Sequence, residues 1–327
     1  MNAITKRQNG QYYTISNAFS CVGFLSWLNQ IQDFENRIIL EPFAGTNNIP
    51  YLFNQATNTH NLWYCCDIAL PTSNLCPQFP IIQNDSLLNF PKGYSICITN
   101  PPYLAKNSAT RRKLDFPKTH YDNLYKLCLS LMLSNCDYVA AIIPESFLTS
   151  RLFQERLHSV ISLPCTMFND TDYPTCLALF NPEISNDFAV YSLNSFVGFY
   201  SALTSFIEDT PDLTCWKFND PAGNIGIYCI DNNCESSIRF CLGTEIDASS
   251  VKSTSRSITR VSGLPEDFNE TEFILACNNL LRNYRELSQD FGLTSFKGLR
   301  KDGMFRRRMD YKFARKILKR IYADFLC

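Results

Sequence analysis

Ser95-Ile96-Cys97-Ile98-Thr99-Asn100-Pro101-Pro102-Tyr103 decides how this chain is read. Its first five residues form a short apolar run, which predicts a buried strand. That strand runs directly into Asn-Pro-Pro-aromatic. The two prolines fix φ and carry no N–H. Pro101 also biases Asn100 toward an extended backbone. The Asn100 side-chain oxygen and the Pro101 carbonyl can then both point outward as acceptors, with Tyr103 offering a flat face. Two converging acceptors suit an NH2 group that carries two hydrogens. The slot fits an exocyclic amine on a planar base. Asn-Pro and Pro-Pro pairs also mark ordinary turns, so the segments around the slot carry the rest of the argument.

Upstream, Ile38-Ile39-Leu40 is a second apolar run, ending in Glu41-Pro42-Phe43-Ala44-Gly45-Thr46-Asn47-Asn48. Small residues, a Gly and two Asn between a strand and a helix predict a tight turn. Such turns lie at the carboxyl ends of doubly wound strands, where ligands bind. No GxGxxG occurs, which argues against a dinucleotide site. A third run, Leu62-Trp63-Tyr64-Cys65-Cys66, ends in Asp67, placed where an acid accepts hydrogen bonds from a ribose. A fourth, Phe79-Pro80-Ile81-Ile82, leads to Asp85, a candidate acceptor for an adenine amino group. Taken singly, each acid could be a solvated strand end. As a series, Glu41, Asp67, Asp85 and Asn100 mark four successive strand ends.

This series resembles the S-adenosylmethionine-dependent methyltransferases of the Asn-Pro-Pro-Tyr type. Gly10-Gln11-Tyr12-Tyr13-Thr14, followed by an amphipathic stretch near 17–31, looks like the cofactor motif that opens DNA adenine-N6 methyltransferases of the gamma arrangement. The likeness covers roughly residues 8–180. The family often has Pro where Ile15 stands and a second Gly where Asn47 stands; Asn tolerates left-handed backbone better than other non-glycine residues. The resemblance implies an α/β fold: a seven-stranded, mixed, Rossmann-like methyltransferase sheet over 1–183 and a C-terminal target-recognition region over 184–327. It implies S-adenosyl-L-methionine held by Tyr12, Thr14, Glu41, Phe43, Ala44, Gly45, Asp67 and Asp85. Asn100, Pro101, Pro102 and Tyr103 become the catalytic slot, with Tyr103 and Phe168 stacking on a flipped adenine; Tyr173 is the second choice for that stacking role. The same geometry serves cytosine-N4, RNA and protein-glutamine methylation. Cytosine members usually have Ser at the position of Asn100. Glutamine-modifying relatives end soon after the last hairpin, whereas this chain continues for about 145 residues. A non-enzymatic DNA-binding module would have no need of four polar strand ends.

Past the slot, residues 104–119 show little periodicity and predict a basic loop, with Arg111, Arg112 and Lys113 available to DNA phosphate. Leu124, Leu127, Cys128, Leu131 and Met132 have helical spacing, that of a core helix. Tyr138–Ile143 predicts another buried strand. Met167-Phe168 and Tyr173–Phe180 predict a closing strand-turn-strand. Alternating runs at Phe188–Leu193 and Ile225–Ile230 suggest further β structure.

Residues 297–327 hold eleven Lys and Arg against three Asp, a net +8, although the whole chain is −1. Interleaved with aromatics, such a stretch is the electrostatic footprint of nucleic-acid binding, with Arg306, Arg307 and Arg308 as DNA contacts. A basic amphipathic helix on a membrane or partner is the competing reading. Fifteen cysteines without a CxxC pair, and three His, argue against a structural zinc site. Many of the cysteines lie in apolar runs, as small hydrophobes in a reducing cytoplasm. No signal peptide or bilayer-length apolar stretch is evident. The expectation is a monomeric cytoplasmic enzyme whose partner is double-stranded DNA, with a cognate restriction endonuclease as the associated activity.

Overall fold

The structure, a computed structural model, describes residues 12–169, 173–205 and 210–326. Gly10 and Gln11 of the opening motif lie outside these residues. Contacts divide the chain into two compact units, Met1–Phe196 and Val197–Cys327.

In the first unit, helix α1 (Val22–Leu28) buries Phe24, Trp27 and Leu28. The strands are β1 (Ile39–Glu41), β2 (Trp63–Asp67), β3 (Ile81–Gln83), β4 (Ile96–Thr99), β5 (Tyr138–Pro144), β6 (Leu157–Ser162), β7 (Thr175–Phe180), β8 (Ala189–Ser192) and β9 (Ser195–Phe199). Helices α2 (Asn48–Thr57), α3 (Lys106–Arg112), α4 (Leu124–Asn135) and α5 (Phe147–Ser150) connect them. The sheet order is β3-β2-β1-β4-β5-β7-β6-β8-β9. Strands β1 to β5 pair in parallel, and β7 runs antiparallel to both β5 and β6. This is a doubly wound, Rossmann-like arrangement with a reversed strand, β7, inserted between β5 and β6. The order turns around between β1 and β4, and open α/β sheets bind ligands at such a switch point.

The core follows from the sequence. Strands β4 and β7 are buried throughout, as is β5 from Val139 to Pro144. Their apolar runs are continuous rather than alternating, as covering on both faces requires. Helix α4 turns Leu124, Tyr125, Cys128, Leu129 and Met132 inward.

Four expectations change. The sheet has nine strands, not seven, because β8 pairs in parallel with β6 and β9 follows it. That addition carries the unit boundary past 184, to Phe196. Residues 106–112 form a helix rather than a loop. Its weak periodicity reflects one buried residue, Ala109, while Arg111 and Arg112 in the last turn suit the helix dipole. The closing hairpin uses Leu157–Ser162 as its first strand, and Met167 sits in a 3-10 turn.

The second unit carries α6 (Tyr200–Ser205) and an antiparallel sheet in the order β10-β13-β11-β12, formed by Lys217–Phe218, Ile258–Ser262, Ile225–Tyr228 and Arg239–Leu242 respectively. Helices α7 (Glu270–Ser288) and α8 (Tyr311–Leu326) and a hairpin of β14 (Thr294–Leu299) and β15 (Phe305–Arg308) complete it. Its core gathers Trp216, Ile225, Ile227, Phe240, Phe273, Ile317 and Leu318. No described helix is long and apolar enough to cross a membrane.

Candidate active site

Successive strand ends build the site. β1 ends at Glu41 and β2 at Asp67, while Asp85 follows β3 and Asn100 follows β4. Because these strands are parallel neighbours, all four residues fall on one edge of the sheet. A cavity of about 580 Å³ opens there, within the range of small-ligand sites. Phe43, Ala44, Gly45, Asp67 and Asp85 line one part, and Tyr12, Thr14, Asn100, Pro101 and Pro102 another. Leu104, Leu114, Phe116, Pro117, Leu124 and Leu127 form an apolar wall. No motif singles out this wall, or Asn48, Asn84 and Ser86, which also line the cavity. Only the turn chemistry of Asn47-Asn48 hints at part of it.

The turn after β1 is stapled to the end of β2. Ala44 N–H donates to the Cys66 carbonyl at 2.9 Å, and Gly45 N–H to Asp67 Oδ2 at 2.8 Å. Gly45 has φ +52°, and a Cβ there would lie 2.7 Å from Tyr13 Cε1. Asn47 takes φ +61°, the left-handed conformation anticipated for it, and starts α2. Its buried side chain donates to Asn74 Oδ1 and to the Phe79 carbonyl. Asp67 also accepts from Ala69 N–H at 3.1 Å, and Asp85 Oδ1 from Leu87 N–H at 3.0 Å. Both acids are therefore held by backbone amides with their carboxylates at the cavity.

Glu41 departs from expectation. It is fully buried and does not line the cavity. Oε1 accepts from Phe43 N–H at 3.0 Å and from the Thr99 hydroxyl at 2.5 Å, while Oε2 is buried without a partner. Burial pushes its carboxyl up to about 8, against the lowering effect of those two hydrogen bonds. Glu41 thus supports the turn from beneath and is mostly protonated near neutral pH.

Asn100 sits in a fully partnered environment. Its Nδ2 donates to the Tyr12 carbonyl at 2.7 Å and to Thr14 Oγ1 at 3.1 Å. Its Oδ1 accepts from the Tyr103 hydroxyl at 2.5 Å. That hydroxyl lies equally close to the Ile142 carbonyl, at 2.5 Å, and its one hydrogen can serve only one oxygen fully. Burial raises the Tyr103 phenol well above its ordinary value, so it stays protonated.

Tyr103 and Phe168 are brought together, but not as two walls of an open slot. Both are buried, at 8% and 5% exposure, and neither lines the cavity. Their rings are 6.4 Å apart and nearly perpendicular, at 79°, which leaves no room for a third ring stacked between them. The Tyr12 ring packs against both, at 5.6 Å from Tyr103 and 5.8 Å from Phe168. Tyr173, the second choice for stacking, lies 6.4 Å from Tyr103. An antiparallel bridge from Thr14 to Phe168 fixes the segment that carries Tyr12.

The basic residues divide. Arg111, Arg112 and Lys113 are exposed at the end of α3, directly before the cavity-lining Leu114. The C-terminal stretch is less open than its composition suggests. Along β15 the side chains alternate, so Arg306 and Arg308 are half-buried while Arg307 turns inward at 7% exposure. Arg307 N–H donates to Asp231 Oδ2, and Arg306 Nε donates to the Asp231 carbonyl with its guanidinium 5.0 Å from the Phe296 ring. Arg300 is 9% exposed and pairs with Asp231 at 3.0 Å. Arg315 donates to the Trp216 carbonyl, and Lys319 pairs with Asp212. Arg307 is therefore corrected from a phosphate contact to an internal support. Among the described residues, no group of three His, Cys, Asp or Glu side chains is placed to hold a metal.

No protein-family profile matches this chain, and no curated protein does. Solved structures do. A class I S-adenosylmethionine-dependent methyltransferase from Listeria monocytogenes is 16% identical over 53% of this chain and 64% of its own, with a TM-score of 0.38. The methyltransferase subunit of a type I restriction-modification system from Streptococcus thermophilus is 15% identical over 56% and 47%, with a TM-score of 0.41. An RNA methyltransferase from Pyrococcus horikoshii is 17% identical over 55% and 91%, with a TM-score of 0.39. This chain therefore spans less than two thirds of the first two of these proteins.

Proposed function

We propose that the chain transfers a methyl group from S-adenosylmethionine to the exocyclic N6 of adenine in DNA, acting on a base turned out of the duplex. The observation that carries this reading is the Asn100 amide, fixed at the end of β4 beside a cavity that Asp67 and Asp85 border. The cavity lining suits the cofactor. Asp67 and Asp85 are acceptors held in place by amides, fit for ribose hydroxyls and an adenine amine. Leu104, Phe116 and Leu124 give an apolar surface for a base. Bound there, S-adenosylmethionine would supply an electrophilic methyl group.

The protein's own contribution is positional. Asn100 Oδ1 and the Pro101 carbonyl accept the two amine hydrogens, which draws electron density onto nitrogen. Preorganised acceptors and correct placement supply most of the acceleration; no nucleophile on the protein is needed, and the methylated amine gives up its extra proton to water. Turning the base out costs a few kcal/mol. Tyr103 and Phe168 replace the lost stacking once the Tyr12 ring moves aside, and the Tyr103 hydroxyl gives up Asn100 Oδ1 in favour of the Ile142 carbonyl. The exposed Arg111, Arg112 and Lys113 then meet phosphate.

The test supplies mixed-sequence DNA, RNA and a protein extract in parallel with methyl-deuterated S-adenosylmethionine, then digests each and identifies the labelled base or residue by mass spectrometry. N6-methyladenine is expected. Asn100→Ala should lower the rate by about 10²–10³ while leaving cofactor affinity in place. Label in cytosine, in RNA or in a glutamine side chain instead would overturn the substrate assignment.

A further inference from the structure

We propose that Thr14 is a positioning residue whose hydroxyl, together with the Tyr12 carbonyl, sets which end of the Asn100 amide faces an incoming amine. This rests on the N-methyl-transfer reading and deepens it.

The oxygen and nitrogen ends of a primary amide have almost the same shape and opposite hydrogen-bonding character. An Asn100 turned by 180° about its last torsion would present NH2 to an NH2 substrate, donor against donor. Nothing in the covalent structure of asparagine prevents that. The surroundings do. Nδ2 points at two oxygens, the Tyr12 carbonyl at 2.7 Å and Thr14 Oγ1 at 3.1 Å, which together take both of its hydrogens. The reversed amide would set Oδ1 against a carbonyl oxygen that has no hydrogen to offer. On the other side, the Tyr103 hydroxyl donates to Oδ1 at 2.5 Å and rewards the same orientation.

Thr14 is built to stay where it is. It is 1% exposed, and its carbonyl accepts from Asn48 Nδ2 at 3.0 Å. It bridges Phe168 through the backbone, and the next residue, Ile15, donates its N–H to the Met167 carbonyl at 2.9 Å. A hydroxyl fixed by its own backbone contacts is a reference point rather than a follower. The resemblance puts Thr14 among the cofactor ligands, and it does line the cavity. The two roles predict opposite outcomes.

Thr14→Val keeps the shape and removes the acceptor. Turnover should fall about tenfold, in line with the loss of one neutral hydrogen bond, with the S-adenosylmethionine dissociation constant unchanged by calorimetry. Thr14→Ser, which restores the oxygen, should restore most of the turnover. Thr14→Ala replaces the valine variant where the second methyl disrupts packing. A second readout is independent of activity. In protein labelled with 15N-asparagine, the Asn100 side-chain amide pair is assigned by its disappearance in Asn100→Asp. One of its two protons should shift and exchange faster in Thr14→Val, and neither in Thr14→Ser. Weakened cofactor binding with unchanged turnover, or an Asn100 amide pair indifferent to Thr14→Val, would overturn the proposal. A protein that methylates no amine would sink the N-methyl-transfer reading instead, while the amide signature would still report whether Thr14 holds Asn100.

Discussion

Glu41 in the first unit and Asp231 in the second are both carboxylates with no exposed surface, yet they meet opposite fates. Glu41 accepts from one amide and one hydroxyl, has a bare Oε2, and forms no ion pair among the described residues. Burial therefore prevails, and its carboxyl rises to about 8. Asp231 accepts from Ser237 and Ile238 amides on Oδ1 and pairs with Arg285 at 2.9 Å and Arg300 at 3.0 Å. Burial pushes it up too, but the Arg285 hydrogen bonds and charge with the two amides outweigh that effect, and its net shift is downward. Burial sets the size of the penalty for charge; the neighbours decide whether charge survives it.

The largest effect should come from removing the well-partnered acid. Asp231→Ala removes the anion that Arg285 and Arg300 share and leaves each only its outer partner, Asp290 at 2.6 Å and Asp302 at 2.9 Å. Breaking a buried pair in this way costs about 3–5 kcal/mol, measurable as a lower urea midpoint. A cost near that of a surface substitution would mean that Asp290 and Asp302 suffice for the two arginines and the contrast is false.

The next effect should appear in pH dependence. Glu41 has a folded value near 8, raised from the ordinary 4.5. The folded state therefore keeps a proton that the unfolded chain has lost, and stability declines as pH rises from about 4.5 to about 8. Asp231 is shifted the other way. It contributes stability above the unfolded value of 3.8 that is lost as pH falls through its folded value. Glu41→Gln should match the parent at pH 5 and exceed it at pH 9 by up to a few kcal/mol. The tryptophans separate the two responses, since Trp27 and Trp63 report on the first unit and Trp216 on the second. An alkaline weakening that persists in Glu41→Gln would assign the slope to another group.

A smaller effect concerns the arginines around Asp231. Arg306→Ala with Arg308→Ala should weaken DNA binding at every sequence and reduce the slope of log K against log salt by roughly 0.9 for each phosphate no longer neutralised. Arg307→Ala should lower stability and leave that slope alone. If Arg307→Ala instead flattens the slope, the inward placement along β15 does not hold when DNA binds. The smallest effect is expected from the strand-end acids. Asp67→Ala and Asp85→Ala should each weaken S-adenosylmethionine binding by about 1–2 kcal/mol, read by calorimetry; unchanged affinity in both would place the cofactor elsewhere.

Legibility in the sequence follows the range of the interaction. Strands β1, β2, β4 and β5 are evident from apolar runs, and their polar ends from the residues that stop those runs. The left-handed Asn47 is foreseeable because few side chains tolerate that backbone. Helix α3 stays hidden because a helix that buries only Ala109 shows almost no period. The basic stretch misleads for a different reason. Asp302, two residues on, hints at a partner for Arg300, but nothing nearby announces that Asp231, far away in sequence, also pairs with it. Nor can the order of residues show that Tyr103 spends its hydroxyl on Asn100 and Ile142, or that Tyr13 leans on Gly45.

On the function proposed above, the Tyr12 ring against Tyr103 and Phe168 would turn base entry into a competition. A base that stacks there must displace a rival that is tethered to the same molecule and so present at high local concentration. Its apparent affinity is the intrinsic one scaled by the fraction of molecules in which Tyr12 has withdrawn. A paired base bears the cost of leaving the helix in addition, whereas a mismatched or unpaired base does not. Loose bases would be favoured by the unpairing cost alone, so shortening Tyr12 to alanine would tighten the entry of paired and unpaired bases alike and leave their ratio unchanged.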